Sequence, residues 1–346
     1  MRNRLEKAHI NIYAGSMAGA VETLQRVIAG LLSRALDTPL SPPTTTEVRL
    51  LTELKGRFTG LSFPKEDDLP PSQAEWVRNM RRLQTLVLSD DPREFLRWDV
   101  VRHSMFVTHP RFVQLELDYL KQRPDWGTRW RAAIKESTQG HPLPYPFHPA
   151  SSGNVIHNAY HLAQFEERTN KRVHRMQCVL EFGGGYGCMC ALCHRLGFTG
   201  KYLVFDLPAF SALQEYYLKS IGMSVHESHA LESEASGVSC ISDYEDLKAT
   251  MLALPSKYDR MFISTWAVSE APLWSRNAFL PLVSLFDAFL IAYQRQFGEM
   301  DNVEFFLRWR EQFRDQIAWQ DWPIEHIRGN NYLIGERTGT DRSFRA

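Results

Sequence analysis

Val179-Leu180-Glu181-Phe182-Gly183-Gly184-Gly185-Tyr186-Gly187 decides how this chain is read, because an apolar run ends in an acid and passes directly into a glycine turn. Gly183, Gly185 and Gly187 alternate, so the backbone can leave the strand sharply at positive φ and let a ligand approach where a Cβ would collide. The helix expected next opens with its unpaired N–H groups facing the same crevice, at the carboxyl end of the strand, where open α/β sheets bind ligands. The dinucleotide fingerprint G-x-G-x-x-G, counted from Gly183, requires glycine at 188, and the residue there is Cys188. The run fits E-x-G-x-G-x-G instead. Asp206 closes the next apolar run, Tyr202-Leu203-Val204-Phe205-Asp206, about twenty residues on, where a carboxylate can accept from both hydroxyls of a ribose. Adenosine without a pyrophosphate is implied.

Working outward, short apolar runs alternate with helical patterns after Lys171, the sign of βαβ units and a parallel sheet. Strands are expected near 177–182, 201–206, 223–227, 259–264 and 287–293. At the end of the chain, Pro323 to Ile327 and Tyr332 to Gly335 flank Gly329-Asn330, which predicts a hairpin and an antiparallel last strand. The first half follows helical spacing instead: Val21, Leu24, Val27, Ile28 and Leu31, then Trp76, Met80, Leu83 and Leu86. Ser72 with Glu75 predicts a capping box after Pro70-Pro71. The proline run from His141 to Pro149 must run extended and marks the boundary between a helical N-terminal module, 1–149, and an α/β domain, 150–346.

The 346 residues carry 40 basic and 40 acidic side chains, so no basic surplus points to nucleic acid. Glu22 and Arg26 interrupt the apolar stretch from Met17 to Leu36, which reads as an amphipathic helix and not a membrane span. Cys188, Cys190 and Cys193 crowd onto the helix after the glycine turn. Only the last two share a face, so they read as buried thiols of a cytoplasmic protein and not as a metal site.

The glycine turn and Asp206 resemble the first two motifs of the class I methyltransferases that use S-adenosylmethionine, whose seven-stranded Rossmann-like sheet ends in an antiparallel pair. The resemblance implies that Glu181 and the turn of Gly183, Gly184, Gly185 and Gly187 hold the methionine end, and that Asp206 holds the ribose. Phe205-Asp206-Leu207-Pro208, Phe262 to Pro272, Ser152-Gly153-Asn154 and Tyr160-His161 are similar, more narrowly, to segments of a bacterial family of sugar O-methyltransferases. That likeness covers roughly residues 95 to 337 and implies a small-molecule or glycan acceptor. Leu207 joins the cofactor set. Asp243, in the acidic insert from Glu227 to Tyr258 with Glu232, Glu234, Glu245 and Asp246, is the candidate beside adenine; a solvated helix face is the plainer reading.

Methyl transfer from a sulfonium is an in-line displacement, so an acceptor oxygen must be held about 3 to 3.5 Å from the methyl carbon. A sugar hydroxyl needs a base to share its proton. His157 and His161, one helical turn apart on one face beside Asn154, Asn158 and Tyr160, are candidates, with ordinary core histidines as the bland reading. After the fourth strand come Trp266, Ser269 and Glu270; Glu270 is the acidic candidate, and Trp266 and Ser269 are placed with the substrate. Phenolic O-methyltransferases also carry Asp-Leu-Pro after the second strand, but they place a histidine beside the tryptophan that follows the fourth, and none stands here. A phenolic acceptor and a cofactor-binding scaffold without catalysis are the rival readings. Dependence on a divalent metal and a homodimer through the helical module are left open.

Overall fold

The computed structural model describes Leu31 and residues 39–107, 110–231 and 233–339. The helix expected over 17–36 and the acid Glu232 therefore lie outside the described residues, apart from Leu31. Five parallel strands, β1 (Cys178–Phe182), β2 (Lys201–Phe205), β3 (Gly237–Ile241), β4 (Arg260–Thr265) and β5 (Ala288–Gln294), are joined by the antiparallel pair β8 (Ile317–Pro323) and β9 (Asn330–Arg337). Their order is β3-β2-β1-β4-β5-β9-β8; β6 (Gln296–Phe297) and β7 (Met300–Asp301) form a separate small ribbon. β1 pairs with both β2 and β4, so the chain reverses direction across the sheet at β1, and a crevice opens at its carboxyl end. This is the seven-stranded Rossmann-like sheet with a terminal hairpin that the sequence predicts.

Both faces of the central strands are covered, which is why they read as unbroken apolar runs. Val179, Tyr202, Val204, Ile263 and Tyr332 face one core, and Leu180, Leu203, Phe262, Phe289 and Leu333 face the other, by the two-residue alternation of a strand. The first core is shared with helices that precede the sheet. These are α1 (Thr45–Thr59), α2 (Pro71–Ser89), α3 (Asp99–Ser104), α4 (Pro110–Gln122) and α5 (Gly153–Thr169). With them pack α6 (Cys188–Arg195) and α7 (Pro208–Ser220). The other face carries α8 (Tyr244–Ala253), α9 (Ala267–Glu270), α10 (Leu273–Phe279) and α11 (Asn302–Gln312). Cys188, Cys190 and Cys193 are free and buried on α6. Among the described residues no helix is long and apolar enough to cross a membrane.

Three local expectations are corrected. The strand expected at 223–227 is not one; Val225 makes only an isolated bridge to Val238, and the third strand is the later run Gly237–Ile241. Its serine and flanking polar residues hide the apolar pattern. The hairpin's first strand is 317–323, and Ile324 and the residues that follow form the connection. The capping box is at Thr44 and Glu47, where side chain and backbone bond reciprocally; α2 starts instead on Pro71, whose fixed φ suits a first helical position, so Ser72 is already inside the helix and caps nothing.

Candidate active site

The glycine turn takes the backbone the sequence demands. Gly183, Gly185 and Gly187 have φ of 79°, 58° and 96°, and Gly183 N–H donates to Phe205 O at 2.8 Å, tying the turn to the end of β2. Asp206, at that end, accepts from Gly185 N–H at 3.2 Å, from Gln214 Nε2 at 2.7 Å and from Leu207 N–H at 2.8 Å. Gln214 Nε2 also donates to Gly185 O at 2.9 Å, while its own buried Oε1 has no partner. Glu181 is buried and accepts from the Tyr202 hydroxyl at 2.9 Å. Met105, from the end of α3, lies against Gly185, its Cβ 3.2 Å from where a side chain would start there.

Burial pushes the Glu181 carboxyl up to about 8 and that of Asp206 to about 7, against the donors that hold each of them. For Glu181 the folded value stands above the ordinary 4.5, so the fold favours the protonated acid; that contribution to stability is complete below about pH 4.5 and fades as pH rises through about 8. Glu181→Gln keeps a neutral acceptor for Tyr202. Thermal unfolding of the variant should match the parent near about pH 5 and occur at a higher temperature near about pH 8.5. Parallel pH profiles for the two proteins would show that the carboxyl does not carry this burden.

A second polar cluster lies beside the turn. Ser152 caps α5 by accepting from Val155 N–H, and the helix then carries His157 and His161 on one buried face. Glu116 of α4 is fully buried, and one of its oxygens receives His157 Nδ1 at 2.7 Å and His326 Nε2 at 2.9 Å. A carboxylate only accepts, so both nitrogens carry hydrogen. His157 Nε2 and His161 Nε2 are 2.9 Å apart, and His161 Nδ1 meets the Tyr332 hydroxyl. Burial, then His157 and His326, drive His161 well below the ordinary histidine range, so it is neutral. The consistent arrangement has Tyr332 donating to His161, His161 donating through Nε2 to His157, and His157 donating to Glu116.

Trp266 joins the two clusters. Its indole stacks on His157 with ring centres 5.3 Å apart, and its Nε1–H donates to Asn330 Oδ1 at 2.6 Å. The next residue, Ala267, occupies the space into which a Cβ on Gly183 would project. One peptide unit thus separates the histidines from the turn. Trp266 has φ of 69°, a left-handed conformation that costs a bulky residue on the order of 1–3 kcal/mol and is held only where surroundings enforce it.

The other expected residues are placed as follows. Asn154 donates to the Tyr186 hydroxyl at 3.1 Å and accepts from Val107 N–H, and Asn158 bonds back to Asn154 O; both are buried beside the turn. Tyr160 packs edge-on against His161 and His326. The Ser269 hydroxyl is spent on Trp266 O, and its carbonyl receives Arg276 and Asn302. Glu270 bonds Gln294 at 3.1 Å, and burial raises its carboxyl to about 7. Leu207 is exposed at the start of α7. Asp243 stands after β3, on the same sheet edge as Asp206, and caps α8 by accepting from Asp246 N–H. Glu116, His326, Tyr332 and Gln214 are site residues that sequence reasoning did not single out.

No family model matches the chain, and no curated protein does. Among solved structures it is similar to methyltransferases, three of which illustrate the likeness. Magnesium protoporphyrin IX methyltransferase from Synechocystis PCC 6803, solved with bound SAM, is 12% identical over 66% of this chain and 97% of its own, with a TM-score of 0.33. The SAH-bound methyltransferase PaMTH1 of Podospora anserina is 10% identical over 69% and 92%, TM-score 0.34. An rRNA methylase from Streptococcus thermophilus is 13% identical over 48% and 89%, TM-score 0.35. Likenesses this distant carry no weight on chemistry, and the fold class stands on the chain's own strand order.

Proposed function

We propose that the protein is an S-adenosylmethionine-dependent O-methyltransferase acting on a hydroxyl of a sugar that is nucleotide-, lipid- or metabolite-linked. One observation carries this: the left-handed glycine turn, pinned by Asp206, abuts Ala267, whose neighbour Trp266 stacks on a carboxylate-backed histidine pair. The residues present fit the cofactor. Gln214 Oε1 is a buried acceptor without a donor at the turn, and Asp206 retains lone pairs beyond its three donors. When bound, the cofactor supplies an electrophilic methyl group. Glu181 and the turn hold its methionine end, Asp206 and Leu207 its ribose, and Asp243 stands on the adenine side. Met105, unbranched and flexible, is the side chain that must yield at Gly185.

His157 is the base. Glu116 fixes its tautomer and offsets the positive charge that accepting a proton creates, while His161 gives up its bond to His157 when the acceptor hydroxyl arrives. Glu116 is a positioning residue, because it acts through His157. Trp266 walls the acceptor pocket, with Asn154, Asn158, Tyr160 and Ser269 around it, and Glu270 is the reserve acid. The reduced cysteines suit a cytoplasmic setting.

Calorimetry with S-adenosylhomocysteine tests the cofactor half. Asp206→Ala should lose about 1.5–3 kcal/mol of that binding, through charge-assisted hydrogen bonds. Unchanged affinity would remove Asp206 from the ribose role. A second reading, a phenolic hydroxyl as acceptor, draws on one observation: the histidine missing after β4 is supplied in space by His157, stacked on Trp266. Labelled methyl transfer to a panel of sugar nucleotides and phenols separates the two.

A further inference from the structure

We infer that the cleft between the first turn of α2, the start of α10 and the start of α11 is a saccharide subsite, binding a neutral pyranose ring that extends from the acceptor. In naming the ligand, this rests on the sugar reading above. The cleft holds about 550 Å³, within the size range of small-ligand sites. Its lip carries Trp274, 70% exposed, and Leu273, 54% exposed. A large indole left open to water on a concave surface offers a flat apolar face, which matches the C–H face of a sugar ring.

The polar side of the cleft has the complementary chemistry. Glu299 has no hydrogen-bond partner among the described residues, and Asp301 spends one oxygen on the N–H groups of Val303 and Glu304. The other oxygen of Asp301 and the Glu299 carboxylate are acceptors for sugar hydroxyls. Arg276 on the floor is buried and adds no accessible cation, because its N–H groups go to Ala271 O, Ser269 O, Asn302 Oδ1 and Met300 Sδ, and the exposed Arg308 at the rim is paired with Glu304. The accessible balance is acidic, which repels a phosphate or carboxylate and leaves an uncharged polyol as the ligand that suits both walls. The floor is also tied to the candidate active site: Asn302 donates to Ser269 O and to Gln294 O, and Gln294 donates to Glu270. The cleft therefore adjoins the carboxyl ends of β4 and β5, on the acceptor side of the sheet.

Saturation-transfer NMR on the full chain, with methyl α-glucoside, methyl α-mannoside, methyl β-galactoside and maltotriose as probes, tests this without any methyl transfer. Ring C–H protons of at least one probe should receive saturation. The effect should persist in Trp274→Phe and fall by about fivefold or more in Trp274→Ala, with S-adenosylhomocysteine affinity equal in all three proteins. The indole is exposed, so the substitution leaves the cores intact. Equal saturation in Trp274→Ala, none from any probe, or stronger saturation of glucose 6-phosphate or glucosamine would each overturn the assignment. Trp274-dependent saccharide binding in a protein that does not bind S-adenosylhomocysteine would sink the methyltransferase reading and leave the subsite standing.

Discussion

Gly183→Ala is expected to abolish S-adenosylhomocysteine binding and to lower thermal stability sharply. Two separate penalties meet at this position. At φ of 79° any L side chain is strained, by roughly 1–2 kcal/mol, and the new Cβ would overlap the Cβ of Ala267. Relieving that overlap moves Ala267 and with it Trp266, whose backbone N–H is bonded to Ala292 O. Overpacking of this kind typically costs about 1–3 kcal/mol, so the sum is on the order of 2–5 kcal/mol. The double variant Gly183→Ala, Ala267→Gly separates the two: it frees the space and leaves the backbone strain. Unfolding measurements should show about half of the loss recovered. A single variant as stable as the parent, and still binding the ligand, would mean that the turn is not held against α9.

His157→Ala is expected to lower kcat by about a hundredfold or more, with S-adenosylhomocysteine affinity unchanged within about twofold. The imidazole donates to Glu116, meets His161 and stacks on Trp266, and among the described residues it is not a hydrogen-bond partner of Glu181 or Asp206, which hold the cofactor in the proposed arrangement. Glu116→Gln should lower kcat by about tenfold and leave KM in place, since the side chain acts through His157 and touches no ligand. Its other oxygen is buried and unpartnered, so the amide has room without expelling a donor. A purely structural role for the network predicts something else: a loss of folded protein in both variants, and normal turnover in whatever remains folded. Single-turnover rates measured on protein of verified fold distinguish these outcomes.

What could be read from the sequence was local. The turn at 183–187, the acid at 206 and the histidine pair one helical turn apart each announce themselves within a few residues, because glycine geometry and helical periodicity act at short range. The fold followed from them, since the apolar runs of a sheet buried on both faces are distinct in the sequence. The third strand escaped because a glycine and a serine break its apolar run and the acidic, polar insert surrounds it. Much of the site escaped for a different reason. Glu116 reaches His157 across 41 positions, Tyr332 reaches His161 across 171, and His326 reaches Glu116 across 210. No periodicity reports such pairings; α4 packing on α5 brings Glu116 to His157, and the closure of β9 onto β5, with α5 packed across both, brings Tyr332 and His326 to them. Thr44 and Glu47 were legible in principle, a threonine with a glutamate three places on; Pro70-Pro71 does mark a helix start, but a proline in the first position leaves Ser72 inside the helix with nothing to cap.

Trp266 is a party wall. One face of its ring leans on an imidazole, while the methyl group of the next residue, Ala267, sits against the glycine bend. Any substitution that displaces this indole would therefore disturb the imidazole and the glycine bend in one stroke.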